Sequence, residues 1–173
     1  TITSFSSFVI VHDEVLNIVK QKGASVDYNK KLVRFSEKRI RESIKSAPRQ
    51  FSLAAPNPEY DVVLPSSPDS FYVCTNTGAR GIIDPQSGQY RLMTENDIRR
   101  IGLLVDQLSN IDVCAVPTAT DAPPEAVDIH GLRALLESTN KHIWLQPHTE
   151  ETLPYLFDLA IARSGGVENF KKR

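Results

Sequence analysis

The chain has 173 residues, 40% of them hydrophobic, which is enough to build one ordinary domain with a core of its own. A formal net charge of -1 and a pI near 6.4 supply no global pull toward nucleic acid or anionic lipid, so neither is expected as a partner. No apolar run approaches the ~18 residues needed to cross a bilayer, residues 1–11 lack the basic start and cleavage site of a signal peptide, and Cys74 and Cys114 lie far apart inside apolar runs, as buried reduced thiols do; a cytoplasmic protein is expected.

In chain order, residues 7–22 place Phe8, Val11, Val15, Ile18 and Val19 at helical spacing, with lysines in the last turn and Gly23 where a left-handed cap is needed, predicting one helix. A short strand over 32–35 then meets Ser36, a good N-cap for a helix that buries Ile40 and Ile44 and stops before Pro48. Residues 51–55 and 60–64 alternate like half-buried strands around the Pro56-Asn57-Pro58 turn, and 65–68 form a loop. Ile82-Ile83 and Tyr90-Arg91-Leu92 flank a loop whose Pro85 and Gly88 suit a longer hairpin with a bulge. Residues 1–93 thus predict an α+β region with antiparallel pieces.

From Thr94 the pattern changes to helix, strand, helix, strand, helix. Thr94 and Asp97 resemble a capping box, followed by a stripe of Ile98, Ile101, Val105 and Leu108. The runs 111–116 and 142–146 are nearly all apolar, as strands buried on both faces are, and a helix opened by Pro123-Pro124 separates them with Ile129, Leu132 and Leu136 inward. A third helix opens at Thr149, with Glu150 and Glu151 at the positive end of its dipole and Leu153, Leu156, Phe157, Ala160 and Ile161 inward; Pro154 leaves its true start ambiguous by a turn, and Gly165-Gly166 close it. This is an α/β pattern, the opening of a parallel sheet over residues 94–173. Two parallel strands cannot bury both faces or satisfy their edges, so the chain is expected to be part of something larger, as the absent initiator Met also suggests; its open edges invite homo-oligomer formation.

In parallel α/β proteins ligands collect at the C-terminal ends of strands, where loops converge and helix N-termini point their donors. That rule selects Thr118, Thr120 and Asp121 after the first strand and Gln146, His148 and Thr149 after the second. Gln146 and His148 suit a polar substrate, and His148 can also transfer a proton. The competing reading makes Asp121 and Thr149 helix caps and His148 an exposed loop residue. Asp112 and Lys141-His142 fall at the opposite, stability face, and His130 is read as a packing or surface group on its helix. The two cysteines and four histidines form no close pair of the kind that announces zinc, so no metal site is expected. The Asn76-Thr77-Gly78-Ala79-Arg80-Gly81 stretch lacks the Lys-Ser/Thr of a phosphate loop and reads as a turn from which Arg80 projects. The basic stretch 30–49 has its charges opposite an apolar stripe and no interleaved aromatics, which is a solvated helix face.

The residues Val26-Asp27, Ser46-Ala47-Pro48-Arg49-Gln50-Phe51-Ser52-Leu53 with Asn57-Pro58, Asp84 with Ser87-Gly88, Leu108-Ser109-Asn110-Ile111-Asp112, Asp121-Ala122-Pro123-Pro124-Glu125 and Thr139-Asn140-Lys141-His142-Ile143, in this order, resemble the N-terminal part of the trimethylamine methyltransferase family. The resemblance implies an N-terminal α+β cap followed by the first βα units of an incomplete TIM-type β/α barrel, in a protein about two to three times this length. It also implies an enzyme that takes a methyl group from a methylated amine substrate of the trimethylamine or glycine betaine type. The acceptor is the cobalt of a corrinoid (cobalamin) held by a separate corrinoid protein. Some members carry pyrrolysine in the barrel, at a position beyond Arg173. Under this reading Gln146, His148, Thr118 and Asp121 are the substrate-binding candidates. Trp144 offers an aromatic face to an ammonium group or serves as barrel core. A rival reading from another class is a non-catalytic binding or regulatory module that retains only the docking surface.

Overall fold

The computed structural model describes residues 7–76 and 78–172, divided into two units, Thr1–Arg49 and Gln50–Arg173, each with its own core. Thr77, in the loop over 76–81, lies outside the described residues.

In the first unit, Ser7–Val9 (β1) is a strand where the periodicity predicts a helical turn, and the helix, Asp13–Gln21 (α1), starts later with Asp13 and Glu14 in its first turn. Short apolar runs fit both periods, and here pairing decides: β1 lies antiparallel to Leu32–Arg34 (β3), which also pairs with Ser25–Asp27 (β2), a strand the sequence pattern did not announce. The helix turns a different face inward from the expected one. Leu16 is fully buried with Ala24 and Val33, Val19 packs beside them, and Phe8, Val11, Val15 and Ile18 are exposed. Gly23 has φ +90°, the left-handed cap the sequence calls for. Ser36 caps Glu37–Ser46 (α2) by accepting from the Arg39 N–H at 3.2 Å. The expected buried stripe on α2 is not buried: Ile44 is 61% exposed and no residue of the helix is fully covered.

The second unit begins with two antiparallel hairpins, Phe51–Leu53 (β4) with Val62–Leu64 (β5), and Gly81–Ile83 (β6) with Tyr90–Leu92 (β7). The Pro58–Tyr60 stretch between β4 and β5 is a 3-10 turn capped by Asn57. Between β6 and β7, Asp84 accepts from the backbone of Gln86 and Ser87, and Gly88 adopts φ +68°. The capping box is present: Thr94 Oγ1 accepts from the Asp97 N–H and the Asp97 carboxylate from the Thr94 N–H, starting Glu95–Gln107 (α3).

Val113–Ala115 (β8) and His142–Trp144 (β9) are parallel, in the register Val113 to His142, Cys114 to Ile143 and Ala115 to Trp144. Val127–Leu136 (α4), entered through a 3-10 turn at Pro124–Ala126, connects them. Strand β8 is partnered on both sides, because Val113 exchanges hydrogen bonds with Val73 and Thr75 while Val116 donates to Trp144. Among the described residues no strand pairs with the far edge of β9. The third helix, Leu153–Arg163 (α5), takes the later of the two starts that Pro154 leaves open; Thr152 rather than Thr149 holds the N-cap position, and of the expected inward face only Leu156 is fully buried, with Leu153 and Phe157 exposed. Gly165 and Gly166, at φ +78° and +123°, end it before a further turn, Val167–Phe170 (α6). Cys74 is exposed, against expectation, and Cys114 is buried; both thiols are free.

The core of this unit joins Ile98 and Val105 of α3, Cys114 and Val116 at β8, and Ala134 and Leu135 of α4. Each fully buried Ile, Val or Leu among them contributes about 1.5–3 kcal/mol. Close approach is set by glycine. A methyl group at Gly131 would lie 2.6 Å from Val116 Cγ1 and 3.0 Å from the Pro117 carbonyl oxygen, so α4 rests on β8 at a distance that leaves no room for a Cβ. Gly131→Ala should therefore lower stability by about 1–2 kcal/mol, overpacking outweighing the better helix propensity of alanine. Denaturant unfolding followed by circular dichroism checks this; an unchanged midpoint would mean that Val116 and the Pro117 turn yield without cost.

Candidate functional site at the C-terminal ends of the parallel strands

The loops that leave β8 and β9 gather the selected residues at one end of the strand pair. Thr118 is half-buried and its N–H donates to Ala79 at 2.9 Å, tying the loop after β8 to the segment before β6. Thr120 donates twice to the Met93 carbonyl, from its N–H at 2.9 Å and its hydroxyl at 2.8 Å. Asp121 is exposed, and its Oδ1 accepts from the Glu95 N–H at 2.8 Å, so it also serves as an acceptor at the N-terminus of α3. After β9, Gln146 and His148 are both exposed, and the His148 N–H donates to Asp128 Oδ2 at 3.1 Å.

Asp128 is the residue the sequence reading missed. It stands in the first turn of α4 and is 3% exposed. Burial works to raise its pKa, but hydrogen bonds from the His148 N–H, the Thr152 hydroxyl and the Ile129 N–H outweigh burial and hold it below the usual carboxylate value. The signal was present in its neighbours, since an acid between Val127 and Ile129 on a helix with an apolar inner face needs a partner.

The opposite ends of the strands are stitched rather than open. Lys141 is buried, its ammonium donates to the Leu108 and Ile111 carbonyls, and it lies 5.8 Å from the Tyr60 ring centre. Asp112 accepts from the Val73 N–H at 2.8 Å, and His142 Nδ1 donates to the Ala54 carbonyl at 2.7 Å, which fixes its tautomer. A cleft of about 370 Å³ beside Tyr60 and Lys141 is bordered by Asp61, Asp106 and Asp112, yet each of these carboxylates already accepts a backbone N–H. Among the described residues no three His, Cys, Asp or Glu side chains come together as a metal site. No helix among them is long and apolar enough to cross a membrane.

Two charge networks gather at the first turn of α3. Arg91 donates to Asp84 at 3.0 Å and, through both terminal nitrogens, to Asp97 at 2.6 and 2.8 Å; this holds the Asp97 carboxyl well below its usual range. Glu95 accepts from Arg133 at 2.6 Å, pairs with His130 Nδ1 at 2.7 Å and meets Arg99 at 3.3 Å, so α3 and α4 share one carboxylate and His130 gains a role beyond packing.

A parallel strand pair joined by a packed helix, with polar loop groups beyond the strands' C-terminal ends, defines an α/β protein. The model of the trimethylamine methyltransferase (MTTB) family matches residues 7–169, and the chain belongs to that family. It is 28% identical over 174 residues to the trimethylamine methyltransferase MttB of Desulfitobacterium hafniense, covering 99% of this chain and 34% of that protein. It is 30% identical over 159 residues to the MttB of Methanosarcina thermophila, covering 90% of this chain and 33% of that protein, and similarly related to MttB1 of Methanosarcina mazei. The chain spans about one third of the length of these curated relatives.

The pKa of Glu95 is lowered from 4.5 to about 2, chiefly by the Arg133 guanidinium. A depressed carboxylate stabilises the fold fully above the unfolded value, and the contribution disappears as pH falls from about 4.5 toward 2. Glu95→Gln should cost about 1–2 kcal/mol at neutral pH and less at pH 2–3, because the wild-type advantage is itself lost there. Unfolding midpoints measured from pH 2 to 7 check this, and parallel curves for both proteins would contradict it.

Proposed function

We propose that the chain is the N-terminal part of a methyltransferase acting on a methylated amine of the trimethylamine or betaine type, with a separate corrinoid protein as methyl acceptor. Residues 94–173 are then the first βα units of a TIM-type barrel and residues 1–93 its α+β cap region. The observation that carries this reading is family membership across residues 7–169, with relatives named for trimethylamine methyl transfer. The open edge of β9 supports the barrel, as does an apolar cavity of about 320 Å³ beside it, lined by Leu132, Ile143, Leu145, Leu156, Phe157 and Phe170; a further strand and helix would fill both. The free thiols of Cys74 and Cys114 suit a reducing, cytoplasmic setting.

In this chemistry a C–N bond breaks, the nitrogen keeps the electron pair, and the methyl carbon passes to a nucleophile. The corrinoid of the partner supplies that nucleophile as reduced cobalt. The donor set at the strand ends, an amide, an imidazole and a hydroxyl, fits orienting and shielding the amine rather than ligating a metal. Gln146 and His148 line the substrate mouth, with Thr118 and Asp121 on its β8 side. Replacing Gln146 and His148 together by Ala in the longest natural chain containing this sequence should lower methyl transfer to cob(I)alamin at least tenfold, assayed with trimethylamine and glycine betaine. Unchanged kinetics would reject the assignment.

A further inference from the structure

Asp128 is a buried carboxylate that the methyl transfer itself does not use. Of its three donors only the Ile129 N–H, at 3.0 Å, is local. The other two come from the loop beyond β9: the His148 N–H at 3.1 Å and the Thr152 hydroxyl at 2.7 Å, 20 and 24 residues away in sequence. Thr152 is itself 4% exposed, and its hydroxyl also lies 3.1 Å from the Thr149 carbonyl, so the loop folds back on itself at the point where the carboxylate grips it. Burying an acid is costly unless its hydrogen bonds are complete, and this one completes them on loop groups rather than on an arginine. The packing of α4 against β8 uses Ala134, Leu135 and Gly131 and asks for no acid at 128.

We propose that Asp128 is the positioning residue of the substrate mouth: it fixes the backbone of residues 148–152 so that Gln146 and His148 meet the methylated amine in a set orientation. This rests on the site reading given above. Asn at 128 keeps the shape but loses the charge and one acceptor oxygen. Val at 152 removes the hydroxyl, whereas Ser keeps it.

The test measures methyl transfer from trimethylamine and glycine betaine to cob(I)alamin in the longest natural chain containing this sequence, with amide hydrogen exchange of residues 146–152 in the same proteins. Asp128→Asn is expected to raise KM for the amine about tenfold with kcat changed much less, and to speed exchange at the His148 amide by a similar factor. Thr152→Val should move KM in the same direction and Thr152→Ser should restore it, a pattern that loss of global stability would not produce. If Gln146→Ala and His148→Ala raise KM while Asp128→Asn and Thr152→Val leave it at the wild-type value, the positioning role is wrong and the site reading stands. If none of the four changes the kinetics, the site reading fails and takes this inference with it. Should Asp128→Asn not fold, the contrast between Thr152→Val and Thr152→Ser decides the matter alone.

Discussion

The second unit depends on the distance between α4 and β8. A helix that connects two parallel strands must lie on the sheet it crosses, and Gly131 lets this one approach until its backbone meets the Val116 side chain and the Pro117 carbonyl. From that contact follow the burial of Leu135 and Ala134, the closeness of α3 and α4 at Gly102 and Ser138, and the position of the first turn of α4 beside the loop that leaves β9. Asp128 reaches His148 and Thr152 only because the helix axis is held there.

The two ends of the strand pair are built to different physical rules. At the N-terminal end the polar groups are consumed by the backbone: Lys141 by two carbonyls, Asp112 and Asp106 by N–H groups, His142 by a carbonyl. Such an end contributes stability, because its buried polar groups are satisfied by the backbone. At the C-terminal end the loops are tied by Thr118 to Ala79, Thr120 to Met93, Asp121 to the Glu95 N–H and Asp128 to the His148 N–H, while Gln146 and His148 are exposed.

Much of this was readable beforehand, and what was not has physical reasons. The Thr94 and Asp97 capping box, the Asp84 to Gly88 hairpin and the two parallel strands were legible because each depends on local chemistry or on a long apolar run. Residues 7–9 were not, because three residues of mixed polarity satisfy either period and only pairing with β3 decides between them. The start of α5 was ambiguous by a turn because Thr149, Glu150 and Glu151 look like a helix opening while Pro154 suits a first turn; Thr152 and its bond to Asp128 place the cap at the later position. On α2, Ile40 and Ile44 gave a correct helix and an incorrect burial, since periodicity reports which face is apolar and not whether anything covers it. The strand-end rule selects the loops after β8 and β9, but long-range contacts such as Asp128 to His148 leave no spacing in the sequence and are not legible in it.

Some of the exposed apolar groups of the second unit lie on β9 and α5. Ile143 and Leu145 pack toward the core with Cys114 and Val116, which by strand alternation sets Trp144 on the opposite face of β9, where it is 49% exposed. Leu153, Phe157 and Tyr155 are likewise exposed along α5. Scattered single apolar residues are ordinary on protein surfaces, but a strand edge that no described strand pairs, flanked by an aromatic on one face and an apolar cavity on the other, is costly in water and is normally covered. The polar loop that bears Gln146 and His148 sits at the end of that same edge. Whatever covers that edge of β9 therefore also comes up against this loop.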